Sequence, residues 1–304
     1  MNRLRQVGYR LLGSRFDYLL HTRPLEWPIV AAHTTLGYLL AVGLYGAAHG
    51  RRLGSAVLGI VLWVVCLNGG TLALNSAYDR DEGDVAYLRR PPPPPISLAG
   101  FGLGLMSLGL ALAFLLPLEY RLAYGFCLVL SWLYSTPPAR LKSVAGADWI
   151  INMIGFGTLT PYAGWAATGA KLSVAGGVIL VAFCPLFAAL YPLTQIYQFE
   201  EDARRGDRTL ALALGVRWSL VVSGVAVVLA FLGFSLGGTA AGWSVENGWR
   251  WLCLVAAASA WLVVLLPWYR KRDAMSPQEH QLGMYRALIA WAVTDLGVAL
   301  AWGL

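Results

Sequence analysis

Apolar residues come in long runs along this chain, and polar positions fall between the runs instead of alternating within them. A helix needs about 20 apolar residues to cross the hydrocarbon core of a bilayer. Nine stretches approach that length: 28–48, 53–77, 98–118, 122–136, 149–169, 172–197, 218–238, 251–268 and 283–304. The fourth is short and stops at Pro137-Pro138, while the second and sixth run straight into acidic sequence. The pattern predicts an all-α integral membrane protein with nine transmembrane helices. Residues 1–22 read differently: Arg3, Arg5, Arg10 and Arg15 interleave with Leu4, Tyr9, Leu11, Leu12 and Phe16. That suits an amphipathic helix lying in the membrane interface. The expected organisation is an interfacial segment over 1–22 and a single nine-helix domain over 23–304.

Composition agrees. Hydrophobic residues make up 58% of the 304, charged residues 13%, and the mean hydropathy is +0.59; a soluble domain carries roughly 25% charged residues. The deficit runs the whole length, which excludes a soluble domain with one anchor. The net charge of +7 therefore reads as membrane orientation, not nucleic-acid binding. Seventeen Lys and Arg fall in the N-terminal segment and even-numbered loops, against five in the odd-numbered loops. The positive-inside bias places the N-terminus and even loops in the cytoplasm, with a cell inner membrane as the expected location. The first 23 residues are basic and lack a continuous apolar core, so no secretory signal peptide is read there. Cys66, Cys127, Cys184 and Cys253 lie inside apolar runs without metal spacing and read as small hydrophobes. Trp27, Trp149, Trp218, Trp251 and Trp268, at span ends, read as an interfacial belt.

Against this greasy background, "NSAYDRDEGD" (75–84) crowds Asp79, Asp81, Glu82 and Asp84 at the end of the second run. Glu200, Glu201, Asp202 and Asp207 follow the sixth run on the same side. One explanation is polar anchoring, with nearby arginines neutralising the acids. Helix C-termini repel carboxylates, however. Two such clusters, each interleaved with arginines, point to a shared site for a cation. Carboxylates suit Mg²⁺, which completes its shell with substrate phosphates, and Arg or Lys would grip the phosphate oxygens.

These residues resemble a known family. Asn75-Ser76-x-x-Asp79-x-Asp81-Glu82-x-Asp84 is similar to the first aspartate-rich motif of the UbiA superfamily of intramembrane prenyltransferases. Asp202-x-x-x-Gly206-x-x-Thr209-Leu210 resembles the second, "YSTPPARLK" (134–142) resembles the stretch between them, and "TRPLEW" (22–27) resembles the start of the first helix. The chain departs from the pattern at Ser76, Gly83 and Gln198, where the family carries Asp, and at Asn68, where it often carries a basic residue.

The resemblance implies nine helices around a central cavity and Mg²⁺-dependent transfer of a prenyl group from a polyprenyl diphosphate to an acceptor. It implies Asp79, Asp84 and Asp202 as metal ligands, assisted by Asn75, Asp81 and Gln198. Arg140 and Lys142 would hold the diphosphate, with Arg80 and Asn75 beside them, and Tyr134 would face the cavity. Positive-inside anchoring also explains Arg140 and Lys142. The acceptor stays open between a quinone precursor, a tetrapyrrole and a lipid. A cyclase of the same family, needing no separate acceptor, is an alternative, as is a non-catalytic protein that binds isoprenoids or lipids.

Several residues lie outside those motifs. Asp148 is expected to cap the fifth helix. His33, Arg286 and Asp295 are ionisable groups inside spans. His33 reads as an interfacial or hydrogen-bonded histidine, Arg286 can snorkel, and Asp295 requires a partner or a proton. Pro91 to Pro95 form a stiff, extended stretch expected to shape the loop over the site.

Overall fold

The computed structural model describes residues 3–79, 88, 90–244, 246 and 248–303, and their regular structure is helical. In chain order the helices are α1 (Arg3–Leu12), α2 (Phe16–His21), α3 (Trp27–Ala48), α4 (Leu53–Asp79), α5 (Leu98–Leu115), α6 (Leu118–Ser135) and α7 (147–166). There follow α8 (Val174–Gln195), α9 (Phe199–Arg205), α10 (Leu210–Ala240), α11 (Gly248–Lys271) and α12 (Pro277–Gly303).

Among the described residues, seven helical stretches are long and apolar enough to cross a membrane. They match seven of the nine predicted runs. The other two runs are also helical, as α6 and α7, but are less apolar. The reason is visible in their sequences: α6 carries Glu119, Arg121, Ser131 and Tyr134, while α7 carries Asp148, Asn152 and Thr160. Several of these polar side chains turn toward the interior, where Ser131, Tyr134, Asn152 and Thr160 line a cavity. In α1, Val7, Leu11 and Leu12 are exposed. The helix is tied back to the domain through Arg5 Nη1, which donates to the Arg90 carbonyl at 3.0 Å.

Two packed clusters flank that cavity. One joins α4 to α7 around Trp63, Met106, Tyr120 and Tyr124; the other joins α8, α10, α11 and α12 around Phe183, Phe234 and Trp261. Two of the largest buried aromatic side chains have their polar groups satisfied: Tyr120 donates to the Gly59 carbonyl (2.7 Å) and Trp261 to Thr294 Oγ1 (3.0 Å). Helices α3 and α7 touch backbone to backbone. A Cβ at Gly37 would collide with the Pro161 carbonyl, and one at Gly164 with the Thr34 carbonyl.

Local irregularities aim side chains inward. Helices α4 and α7 each contain a π-helical turn, Leu62–Asn68 and Met153–Leu159, a feature frequent at functional sites. From these turns Trp63, Leu67, Asn68 and Phe156 face the cavity. Pro192 inside α8 cannot donate to the carbonyl four residues back. Trp149 Nε1 takes that carbonyl, on Ala188, at 2.9 Å. Trp149 thus repairs a helix where a belt residue was expected. Trp268 departs similarly, being buried and donating to His280 Nδ1 at 2.9 Å.

Candidate active site

The cavity between the two clusters measures about 330 Å³. Its walls are aromatic and aliphatic, including Trp63, Phe156, Phe187 and Trp291, with a few polar groups set among them. Asn75 lies on this wall, and its Oδ1 accepts a 2.7 Å bond from Ser135 Oγ. Tyr134 also lines the cavity, with its hydroxyl 2.8 Å from that of Tyr191.

One turn along α4 from Asn75, Asp79 is the last described residue of the helix. Its carboxylate is ion-paired with Lys142 Nζ and lies 3.6 Å from Arg140 Nη2. Both bases come from the turn after α6. Arg140 takes a left-handed conformation (φ 31°) and begins the short turn Leu141–Ser143. Its other amine, Nη1, reaches Asp207 Oδ1 at 3.2 Å. Arg140 therefore joins the first acidic cluster to the second. Asp202 stands beside this bridge: it is buried, its carbonyl accepts from Asp207 N (3.0 Å), and Thr209 Oγ1 donates to its Oδ2 at 3.5 Å.

The second cluster does not continue α8. A 3₁₀ turn, Ile196–Gln198, interrupts the chain, and α9 starts afresh with Glu200, Glu201 and Asp202 in its first turn. Acids are favoured there by the helix dipole, which removes the objection raised for a C-terminal position. Gln198 sits at the boundary, outside α9, so it shares no continuous helical face with Asp202. Arg80, Asp81 and Asp84 lie outside the described residues.

Asp148 does not cap α7 as expected; Gly146 occupies that position. The Asp148 carboxylate is fully buried and accepts from Gly146 N (2.9 Å), Gln195 Nε2 (2.9 Å) and Leu210 N (3.1 Å). Gln195 Oε1 in turn accepts from Ala211 N at 3.2 Å. This network pins the start of α10, and hence Thr209, against α7 and α8. Sequence reasoning missed Gln195, although a Gln near the end of an apolar run was the available signal. Deeper in the bundle, His33 Nδ1 lies 3.0 Å from both Asp295 oxygens and Nε2 lies 3.4 Å from the Gly157 carbonyl. Asp295 thus has the partner its depth required. Arg286 is exposed on the outer face of α12.

Among the described residues, no three His, Cys, Asp or Glu side chains converge as a ready-made metal cage. Mg²⁺ does not need one, because it takes one or two carboxylates and completes its shell with phosphate and water. Asp79 and Asp202, with Asn75 on the wall, supply such hard oxygens, so the residues present fit this ion.

The molecule is a bundle of apolar helices around a cavity, with acids and bases paired one turn beyond Asn75 on its wall. The chain belongs to the UbiA prenyltransferase family, whose pattern matches residues 33–289. No curated protein matches it in sequence. Among solved structures it is similar to a UbiA homolog from Archaeoglobus fulgidus bound to GPP and Mg²⁺, at TM-score 0.68 and 19% identity, covering 95% of this chain and 100% of that one. It is also similar to a digeranylgeranylglyceryl phosphate synthase (TM-score 0.67, 14% identity, 94% and 98% covered). A third likeness is to the apo UbiA homolog from Aeropyrum pernix K1 (TM-score 0.63, 17% identity, 90% and 97% covered). At these identities the likeness is one of fold.

Proposed function

We propose that this protein transfers a prenyl group from an isoprenoid diphosphate to a membrane-associated acceptor in a Mg²⁺-dependent reaction. The observation that carries the reading is the Asp79–Arg140–Asp207 bridge, which gathers both acidic motifs at one rim of an apolar cavity. All nine apolar runs cross the bilayer in this proposal, α1 lies in the interface, and the rim faces the cytoplasm.

The polyprenyl tail occupies the apolar cavity while the diphosphate stays at the rim. Asp79 and Asp202, with Asn75 and, from the sequence, Asp81, Asp84 and Gln198, hold the metal. Mg²⁺, when bound, offsets the charge that develops on the leaving diphosphate. Arg140 and Lys142 turn from the carboxylates to the phosphate oxygens and help stabilise the same charge. The allylic C–O bond breaks with its electron pair leaving on the diphosphate. The aromatic faces of Tyr134 and Tyr191 stabilise the cation through their quadrupoles, and the apolar walls keep water away from it. The acceptor then forms the new bond to the allylic carbon and loses a proton.

The test is diphosphate release by detergent-purified protein, over a panel of prenyl diphosphates and acceptors, with Mg²⁺ or with EDTA. Metal-dependent release that requires an acceptor supports transfer, and release without one supports the cyclase. Binding without turnover leaves a non-catalytic isoprenoid carrier. Turnover that persists in EDTA would sink the metal assignment.

A further inference from the structure

The two faces of α1 differ in what they touch. Gly8 and Tyr9 pack inward: a Cβ at Gly8 would collide with the Phe16 ring, and the Tyr9 ring meets that ring edge to face, with centroids 5.1 Å apart. The Tyr9 hydroxyl also donates to Asp17 Oδ1 at 2.6 Å. Helix α1 is thereby held on α2. The other face is bare. Val7 and Leu11, one turn apart, are exposed, Leu11 to 77%, and so is Leu12 beside them. Apolar side chains scattered singly over a surface need no partner, but a row along one helix face marks a contact surface.

Charge and position say what covers it. Arg10 and Arg15 are exposed and make no ion pair among the described residues. Arg3 and Arg5 precede them, and Asp17, already bonded to Tyr9, is the only acid among residues 1–22. A further cation arrives from far along the chain: Arg5 Nη1 donates to the Arg90 carbonyl at 3.0 Å, which brings exposed Arg90 beside α1. The Tyr18 and Ser97 hydroxyls lie 2.6 Å apart, and Tyr18 packs on Phe101. These contacts fix α1 and α2 to the bundle, so the bare face is presented in a set orientation. Nor can α1 stray from the bilayer, because α2 ends at His21 and the first candidate span begins at Trp27. An apolar face with arginines beside it, next to a spanning helix, matches a lipid surface. Several arginines against one occupied acid match a negative one.

We propose that α1 docks on anionic phospholipid, with Val7, Leu11 and Leu12 set among the acyl chains and Arg10 and Arg15 on the headgroup charges. The place of α1 in the interface rests on the reading above; the demand for negative lipid goes beyond it.

The test uses the full chain in nanodiscs of phosphatidylcholine, with or without phosphatidylglycerol. An environment-sensitive fluorophore sits on Leu12→Cys, with the four native cysteines replaced by alanine and Val7 and Leu11 left in place. Quenching by lipids that carry a nitroxide on the acyl chain reports docking. The docked-to-undocked ratio is expected to be at least about tenfold higher with phosphatidylglycerol. Salt of about 1 M, which screens charge beyond about 3 Å, should abolish that gain. Arg10→Gln combined with Arg15→Gln should abolish it too. Native mass spectrometry of the unlabelled protein provides a second readout, in which the double variant is expected to retain less phosphatidylglycerol than wild type. Equal quenching in both discs, or a gain that survives both the salt and the double variant, overturns the proposal. So does burial of the fluorophore only when two copies of the chain share a disc. A fluorophore left in water in every disc removes the interfacial reading as well. None of these outcomes turns on diphosphate release, so prenyl transfer and lipid docking stand or fall separately.

Discussion

Asp79 lies late along a helix and Asp202 in the first turn of one, and this contrast organises the site. Asp79 lies where the helix dipole disfavours an anion, and two cations from the turn after α6, Lys142 and Arg140, compensate it. Asp202 lies in the first turn of α9, where the dipole favours it, and its contacts include the Thr209 hydroxyl and the Asp207 amide. The first end is therefore a charge-paired acid whose partners can move to an incoming phosphate. The second is an acid that its place at a helix start also favours. Arg140 links the two by reaching Asp207. The lesson is that two similar acidic motifs need not be interchangeable.

The sharpest way to break the comparison is to neutralise each acid in turn. Asp79→Asn and Asp202→Asn are each expected to lower the rate of diphosphate release at least about 100-fold, or about 2.7 kcal/mol of transition-state stabilisation. Equal rates in wild type and both variants would dismiss the rim as the site. If the ends differ as described, Asp79→Asn also removes the carboxylate charge that Lys142 and Arg140 share in the resting protein. Its affinity for the bare diphosphate anion should then rise, while that of Asp202→Asn should not.

Stability should divide the ends next. Asp148 supports the second end by holding Gln195 and Leu210 N. Asp148→Asn keeps the shape but swaps one acceptor oxygen for a donor facing donors. The expected cost is about 2 kcal/mol, read as a melting temperature lowered by several degrees, with the KM for the prenyl diphosphate unchanged. A raised KM with unaltered melting would mean that Asp148 touches substrate.

The bridge itself comes third. Arg140→Gln is expected to raise the KM for the diphosphate about tenfold, about 1.4 kcal/mol. Combined with Asp207→Asn, it should cost less than the sum of the two single changes, because one variant already removes the interaction that the other would lose. Strict additivity would show that the contact between Arg140 and Asp207 carries nothing.

How much of this could be read from the chain depends on which signal each feature leaves. The apolar runs predicted the helices because burial in hydrocarbon demands a continuous pattern. Asp79, Arg140 and Lys142 were legible because charge is conspicuous in such a sequence, and they do meet. The break after Gln195 was not legible, because Ile196-Tyr197-Gln198-Phe199 gives no helix-stop signal. Asp148 was misread because an acid near a helix start resembles a cap locally. Its actual partners, Gln195 and Leu210, lie far along the chain.

The smallest expected effect concerns the hinge between the second end and the helix that follows it. Thr209 precedes α10, its Oγ1 accepting from Leu212 N at 3.4 Å while donating to Asp202 Oδ2 at 3.5 Å. Both contacts are long, so neither is strong. The cap is the better defined of the two, because removing a Thr cap typically costs about 1 kcal/mol. Thr209→Ala is therefore expected to lower the melting temperature by a few degrees and the rate of diphosphate release by less than about fivefold. Thr209→Ser keeps the hydroxyl and should restore both. If the alanine variant instead loses activity as deeply as Asp202→Asn while melting normally, the hydroxyl orients Asp202 for the reaction. The second end would then depend on a side-chain partner, as the first depends on Lys142 and Arg140, and the contrast between the two ends would collapse.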